Sequence, residues 1–208
     1  MVTNLRGLIS FANELANESE KIINKYFRTT LIVDAKNDAS PVTIADKNTE
    51  LKIRELIQTS YPNHGILGEE FEGTNIDSEY LWVIDPIDGT RSFIAGHKDF
   101  GTLIALLYKN KPVIGIIDCP AHKERWVGVK GMATTVNCKK IKTSSKTSIK
   151  DCYAFTSGLY TSCNTTNNTS NTKYRTYSLI NLTIYSRLIS VPCHCCTFHS
   201  HRKSFDSF

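Results

Sequence analysis

The sequence predicts an α+β domain, with helices first and a mainly antiparallel sheet after them, followed by a tail left unassigned. Three observations carry this expectation. Apolar residues recur at three- and four-residue intervals near the N-terminus and again from about Ile44 to Thr59. From His64 to Val129 they come instead in short β-rich runs separated by turn-like residues. After Tyr160 both patterns stop.

Leu5, Leu8, Ile9, Ala12, Leu15, Ala16, Ile22, Ile23, Tyr26 and Phe27 share one face at helical spacing and predict a long amphipathic helix. The second helix ends before Pro62 and is expected to bury Leu51, Leu56 and Ile57. Thr43, with Asp46 three residues on, resembles a capping box at its start. The runs "HGILGEE", "LWVID", "GTLIALLY", "PVIGIIDC" and "ERWVGV" then read as strands, and "YKNKP" (Tyr108 to Pro112) as a tight antiparallel connection. Trp82, Trp126 and Cys119 read as core, His97 and His122 as surface or packing residues.

The chain changes character near Tyr160. All eleven glycines lie at or before Gly158, no glutamate follows Glu124, and Asp206 is the one acid after Thr161. A stretch rich in Ser, Thr and Asn but without glycine or sustained periodicity is not forced into structure. Residues 1–160 therefore read as one domain portion and 161–208 as an aberrant tail, best explained by a reading-frame change near codon 160. Cys193, His194, Cys195, Cys196, His199 and His201 crowd within that tail. Crowded together rather than set out as well-separated pairs, they are not expected to form an evolved tetrahedral zinc site.

Bulk properties narrow the function. The 208 residues suffice for one sizeable domain, and a net charge of +5 is spread without the basic stripe of a nucleic-acid binder. No run approaches the ~20 apolar residues of a membrane span. The N-terminal segment has acids where a signal peptide needs an apolar core, so a cytoplasmic chain with reduced thiols is expected.

The chemistry concentrates in "LWVIDPIDGTRSF", Leu81 to Phe93. Apolar residues lead to Asp85 and Asp88, three apart around Pro86. With Glu69 and Glu70 at another strand end and Asp46 at a helix start, these acids repel one another unless protons or a cation intervene. An all-oxygen set suits Mg²⁺, with the Ile87 carbonyl as a further donor. Gly89 permits an unusual turn, and Thr90 can open a short helix whose first amides attract phosphate oxygens. Of the glutamate pair, Glu70 is expected to be the solvated member.

"SPVTIADKNTE", "GEE" and "WVIDPIDGTRSF", in that order, resemble the inositol monophosphatase family of Mg²⁺-dependent, lithium-sensitive phosphatases. "DPIDGTRSFIAGHKDFGTLIALL" with "GIIDCPAHKERWVG" is closest to the histidinol-phosphate phosphatase branch. The resemblance covers roughly residues 5 to 160 and implies the N-terminal half of a layered α-β sugar-phosphatase-like fold. It implies metal ligation by Glu69, Asp85, Ile87 (through its carbonyl) and Asp88, and phosphate contacts at Gly89 and Thr90. Asp46 and Thr90 become the pair that orients and deprotonates the attacking water, with Glu69 counted beside them as catalytic. Lys36 becomes a mobile-loop contact. The implied partners are a small phosphorylated metabolite and a second copy of the chain, since homodimers are usual in the family.

The family's second half has no counterpart after Tyr160, and with it goes a further metal-binding aspartate. Ala133 and Cys138 stand where glycines are expected. Asn137-Cys138 must either adopt positive φ at both turn positions at some cost or abandon the tight hairpin. The expected reaction is Mg²⁺-dependent hydrolysis of a small phosphate monoester, impaired by the lost half. The alternative is a non-catalytic remnant or interaction module of an intact phosphatase.

Overall fold

The structure is a computed structural model that describes residues 4–30, 33–35 and 41–142. Two helices pack on one face of a seven-stranded sheet. α1 (Leu5–Tyr26) starts at Asn4, whose side chain accepts the Gly7 amide, and ends one residue before Phe27. Its apolar stripe buries Leu8, Phe11, Ala12, Leu15, Ala16 and Ile23. β1 (Val33–Ala35) and β2 (Pro41–Thr43) form a small antiparallel ribbon that sequence periodicity did not reveal. Lys36 lies outside the described residues.

α2 (Ile44–Ser60) begins at Thr43 with the expected capping box. Ile53 and Ile57 face the core, and Leu56 packs partly against it. Leu51, expected inside, is 50 % exposed. The stripe that points inward runs through Asp46, Thr49, Glu50, Ile53, Arg54 and Ile57, so polar side chains occupy positions that apolar counting gives to Leu51.

The sheet runs β3 (Gly65–Gly68), β4 (Tyr80–Asp88), β5 (Gly101–Tyr108), β6 (Lys111–Cys119), β7 (Glu124–Val129), β8 (Thr135–Val136) and β9 (Lys139–Lys140), in that spatial order. The β3–β4 pair is parallel and every other pair antiparallel. Alternation along each strand splits the core in two. Trp82, Ile84, Ile104, Leu106, Ile114 and Ile116 meet the helices, while Leu81, Val83, Leu103, Ala105, Ile117 and Cys119 pack on the opposite face. Each fully buried Ile or Leu contributes about 1.5–3 kcal/mol through area removed from water.

Trp82 is fully buried, but Trp126, also expected in the core, is only half-buried beside the second cluster. β7 has just the two-residue β8 on its outer side, too little sheet to cover an indole. His97 and His122 are exposed as expected, and His122 pairs with Asp99 at 3.0 Å. Both hairpin turns adopt positive φ at two consecutive residues, Lys109 (51°) with Asn110 (59°) and Asn137 (46°) with Cys138 (65°). The second hairpin therefore keeps its tight turn without glycine. Among the described residues no helix is long and apolar enough to cross a membrane. The proposed tail, residues 161–208, lies outside the described residues.

Candidate metal and phosphate site

The site forms where β4 loses its regular pairing. Leu81 to Ile84 draw the strand through the middle of the sheet, and this carries Asp85 into burial at 7 % exposure. Pro86 has no amide proton to give the ladder. Between Asp85, opposite Leu103, and Asp88, opposite Gly101, β4 holds one more residue than β5, which makes a bulge. The Thr102 hydroxyl donates to the Pro86 carbonyl at 2.8 Å and fixes the distorted segment.

Gly89 then turns the chain with φ 85° and ψ 35°, into α3 (Thr90–Ile94). Glycine is needed there twice over: the φ is left-handed, and a Cβ would lie 2.8 Å from the Asp99 carbonyl oxygen. α3 is anchored by Phe93, whose ring packs against Phe27 and Phe100 with centroids 5.7 and 5.0 Å away.

Asp46 approaches from the start of α2. Its Oδ2 accepts the Thr43 amide at 2.8 Å and the Thr43 hydroxyl at 2.6 Å, the capping role. Its Oδ1 faces the Thr90 hydroxyl at 3.4 Å, which also donates to the Ile87 carbonyl at 3.0 Å. One carboxyl therefore divides its oxygens between capping and the site. Burial pushes the Asp46 carboxyl above the usual range, the Thr43 hydrogen bonds oppose this, and the charge of Glu69 adds to it.

Asp85 is held well above the ordinary carboxylate range. Burial is the main cause, followed by the charges of Glu69 and Asp88, a hydrogen bond with Glu69, and the charge of Asp46. Its strongest electrostatic neighbours are thus all acids. Asp85 Oδ1 is buried without a hydrogen-bond partner among the described residues. Among the described residues, no three His, Cys, Asp or Glu side chains are gathered as a ready-made metal position. Even so, the donor chemistry fits a hard cation. The set is entirely oxygen, one buried oxygen lacks a partner, and mutual repulsion keeps uncompensated carboxylates apart.

Glu69 is exposed at the bend after β3, whereas Glu70, expected to be the solvated one, is half-buried. The reason is Glu50, a residue to which sequence reasoning gave no role. Its buried carboxylate accepts the Glu70 amide at 2.8 Å and draws that residue inward. A signal was present in the text: Glu50 and Arg54 stand four apart on a helix face that also carries Ile53 and Ile57. The structure thus brings Asp46, Glu69, Asp85, Ile87, Asp88, Gly89 and Thr90 into one neighbourhood.

Comparison with known proteins places the chain in a family. The model of the inositol monophosphatase family matches residues 4–197, past the compositional break at Tyr160. The chain is 45% identical over 156 residues to the chloroplastic bifunctional phosphatase IMPL2 of Arabidopsis thaliana, covering 74% of this chain and 45% of that protein. It is 38% identical over 138 residues to the histidinol-phosphatase of Chlorobaculum parvum, covering 66% and 53%. An inositol monophosphatase structure from Zymomonas mobilis superimposes with TM-score 0.59 at 45% identity, covering 70% of this chain and 56% of that one. The chain spans about half the length of the curated relatives it matches.

Proposed function

The chain belongs to the inositol monophosphatase family, and we propose that it is built for Mg²⁺-dependent hydrolysis of a small phosphate monoester of the histidinol phosphate or inositol phosphate kind. In this reading residues 1–160 form the N-terminal part of the phosphatase domain. The observation that carries it is Asp85, a buried carboxyl set among Glu69, Asp88 and Asp46. Among the described residues, one of its oxygens has no hydrogen-bond partner and its main electrostatic neighbours include no basic group. An ionised carboxyl so placed is costly unless a cation supplies the missing charge.

Glu69, Asp85, Asp88 and the Ile87 carbonyl would hold the ion. When bound, Mg²⁺ supplies an acidified water and charge stabilisation on the phosphoryl oxygens. The chain's own groups do the rest. Thr90 and Asp46 Oδ1 lie 3.4 Å apart and form a hydroxyl–carboxyl couple that aims a water and takes its proton. The Thr90 hydroxyl, donating to the Ile87 carbonyl at 3.0 Å, ties that couple to the bulge. Gly89 and the first turn of α3 offer amides to the phosphate oxygens. Lys36 belongs to the same proposal as a loop contact.

Release of inorganic phosphate from histidinol phosphate, compared with inositol 1-phosphate, tests the reading with and without Mg²⁺. Steady metal-dependent release that disappears in Asp88→Ala supports it. Absence of turnover on both substrates, with a folded chain and millimolar Mg²⁺, overturns it. That outcome favours a non-catalytic remnant or interaction module.

A further inference from the structure

We propose that Glu50 and Arg54 of α2 act as positioning residues for the metal loop, setting where Glu69 presents its carboxylate. The inference rests on the phosphatase reading and extends it to residues that touch neither metal nor substrate.

The Glu50 side chain is completely buried. Arg54 Nε and Nη2 both lie 2.8 Å from its Oε1, an i,i+4 pair within the helix. A buried ion pair is a poor way to stabilise a core, because desolvation offsets its Coulomb attraction. The remaining bonding capacity of this pair goes to one place, the loop after β3. Glu50 Oε2 accepts the Glu70 amide at 2.8 Å and Oε1 the Phe71 amide at 3.3 Å. Arg54 Nη2 donates to the Phe71 carbonyl at 3.0 Å, and Nη1 to the Thr74 hydroxyl at 3.2 Å. Its guanidinium also sits 5.9 Å from the centre of the Phe71 ring. Thr74 is bound back to β3 through two backbone bonds with Ile66, both 2.8 Å.

These contacts close a clamp around the segment that carries Glu69. β3 holds it on one side, and the carboxylate of Glu50 holds the very next amide on the other. Gly68 makes the approach feasible, since a Cβ there would overlap the Glu50 carboxyl oxygens. Glu69 is itself exposed and long, so without a fixed backbone its carboxylate would sweep a wide volume. Outer groups of this kind commonly set metal affinity by about 10- to 100-fold.

The test compares Mg²⁺ affinity of the full chain, measured by calorimetry, with its metal-free melting temperature. In Glu50→Gln the carboxamide presents an N–H₂ group where a carboxylate oxygen accepted an N–H, so the Mg²⁺ Kd rises by about 10- to 100-fold. Arg54→Lys keeps the charge beside Glu50 and the helix propensity but loses the fork to Phe71 and Thr74. Its Kd rises by less than about tenfold. Arg54→Lys decides the matter alone if Glu50→Gln does not fold. A purely structural pair would lower both melting temperatures and leave the Kd of the folded chains unchanged, and that result overturns the proposal. A wild-type chain that binds no Mg²⁺ overturns the phosphatase reading instead, and the positioning role with it.

Discussion

Two kinds of buried acid stand side by side in this fold. Glu50 and Asp118 are each met by an arginine: Arg54 at 2.8 Å, and Arg125, whose Nε lies 2.7 Å from Asp118 Oδ1. Asp85 is equally buried and is met chiefly by other acids. The first kind is neutralised from within the chain. The second is left charged or protonated according to what the solvent supplies. The contrast teaches that burial alone does not mark a site. What marks it is burial without an internal counter-charge.

Breaking the unpaired acid should separate stability from activity most sharply. On the proposed phosphatase reading, Asp85→Asn is expected to lower Mg²⁺-dependent phosphate release by about 10³-fold or more, since a metal ligand carries several kcal/mol of transition-state charge. The same change should raise the metal-free melting temperature, because a neutral amide replaces a carboxyl that burial and its neighbours disfavour when ionised. The pH dependence follows with a definite sign. A carboxyl whose folded value is raised keeps its proton where the unfolded chain has lost it. Its stability contribution is therefore complete at and below the ordinary carboxylate range and is lost as pH rises through the folded value. Without metal, the wild-type melting temperature should fall from acid towards neutral pH, and the fall should flatten in Asp85→Asn. An unchanged pH profile would contradict the assignment of Asp85 as the main source.

Breaking a paired acid should do the reverse. Arg125→Met strands Asp118 beneath α1, where Arg125 also donates to the Asn13 carbonyl at 3.3 Å and Asn17 Oδ1 at 2.7 Å. The loss is up to about 3 kcal/mol, the low end for a buried pair, because Arg125 is 19% exposed. Chemical denaturation reads this directly, and Mg²⁺ binding by the folded variant should be unchanged. The smallest effect lies in the β8–β9 turn. Cys138→Gly relieves a left-handed residue at φ 65° and should stabilise the chain by about 0.5–1 kcal/mol, visible as a shifted denaturation midpoint with an unchanged slope.

Much of this was legible in the text because it rests on local rules. Helical spacing found α1, the Thr43–Asp46 spacing found the start of α2, and β-rich runs with turn residues found β3 to β7. The Asp-Pro-Ile-Asp-Gly-Thr stretch located the unusual turn at Gly89 and the short helix, whereas the bulge before them was not read from it. What escaped depends on tertiary contact. Leu51 and Glu50 are adjacent on α2, and hydropathy puts the leucine inside. The loop amides at Glu70 and Phe71, about twenty residues away in sequence, reverse that order. Trp126 was misplaced for a related reason: its coverage depends on how far the sheet extends beyond β7, which a strand's own letters do not state.

The parallel pairing of β3 with β4 bears on how the chain assembles. β5, β6 and β7 join through neighbouring hairpins, whereas Asp46 must find Thr90 across 44 residues, and Glu69 reaches Asp85 only after a non-local crossover closes. By their loop-closure cost, contacts at such separations are expected to form after the hairpins have condensed. An ion seated among these carboxyls therefore joins a nearly finished molecule. If bound as proposed, it would act as a latch on a closed door, lengthening the folded lifetime while leaving the speed of closing almost untouched.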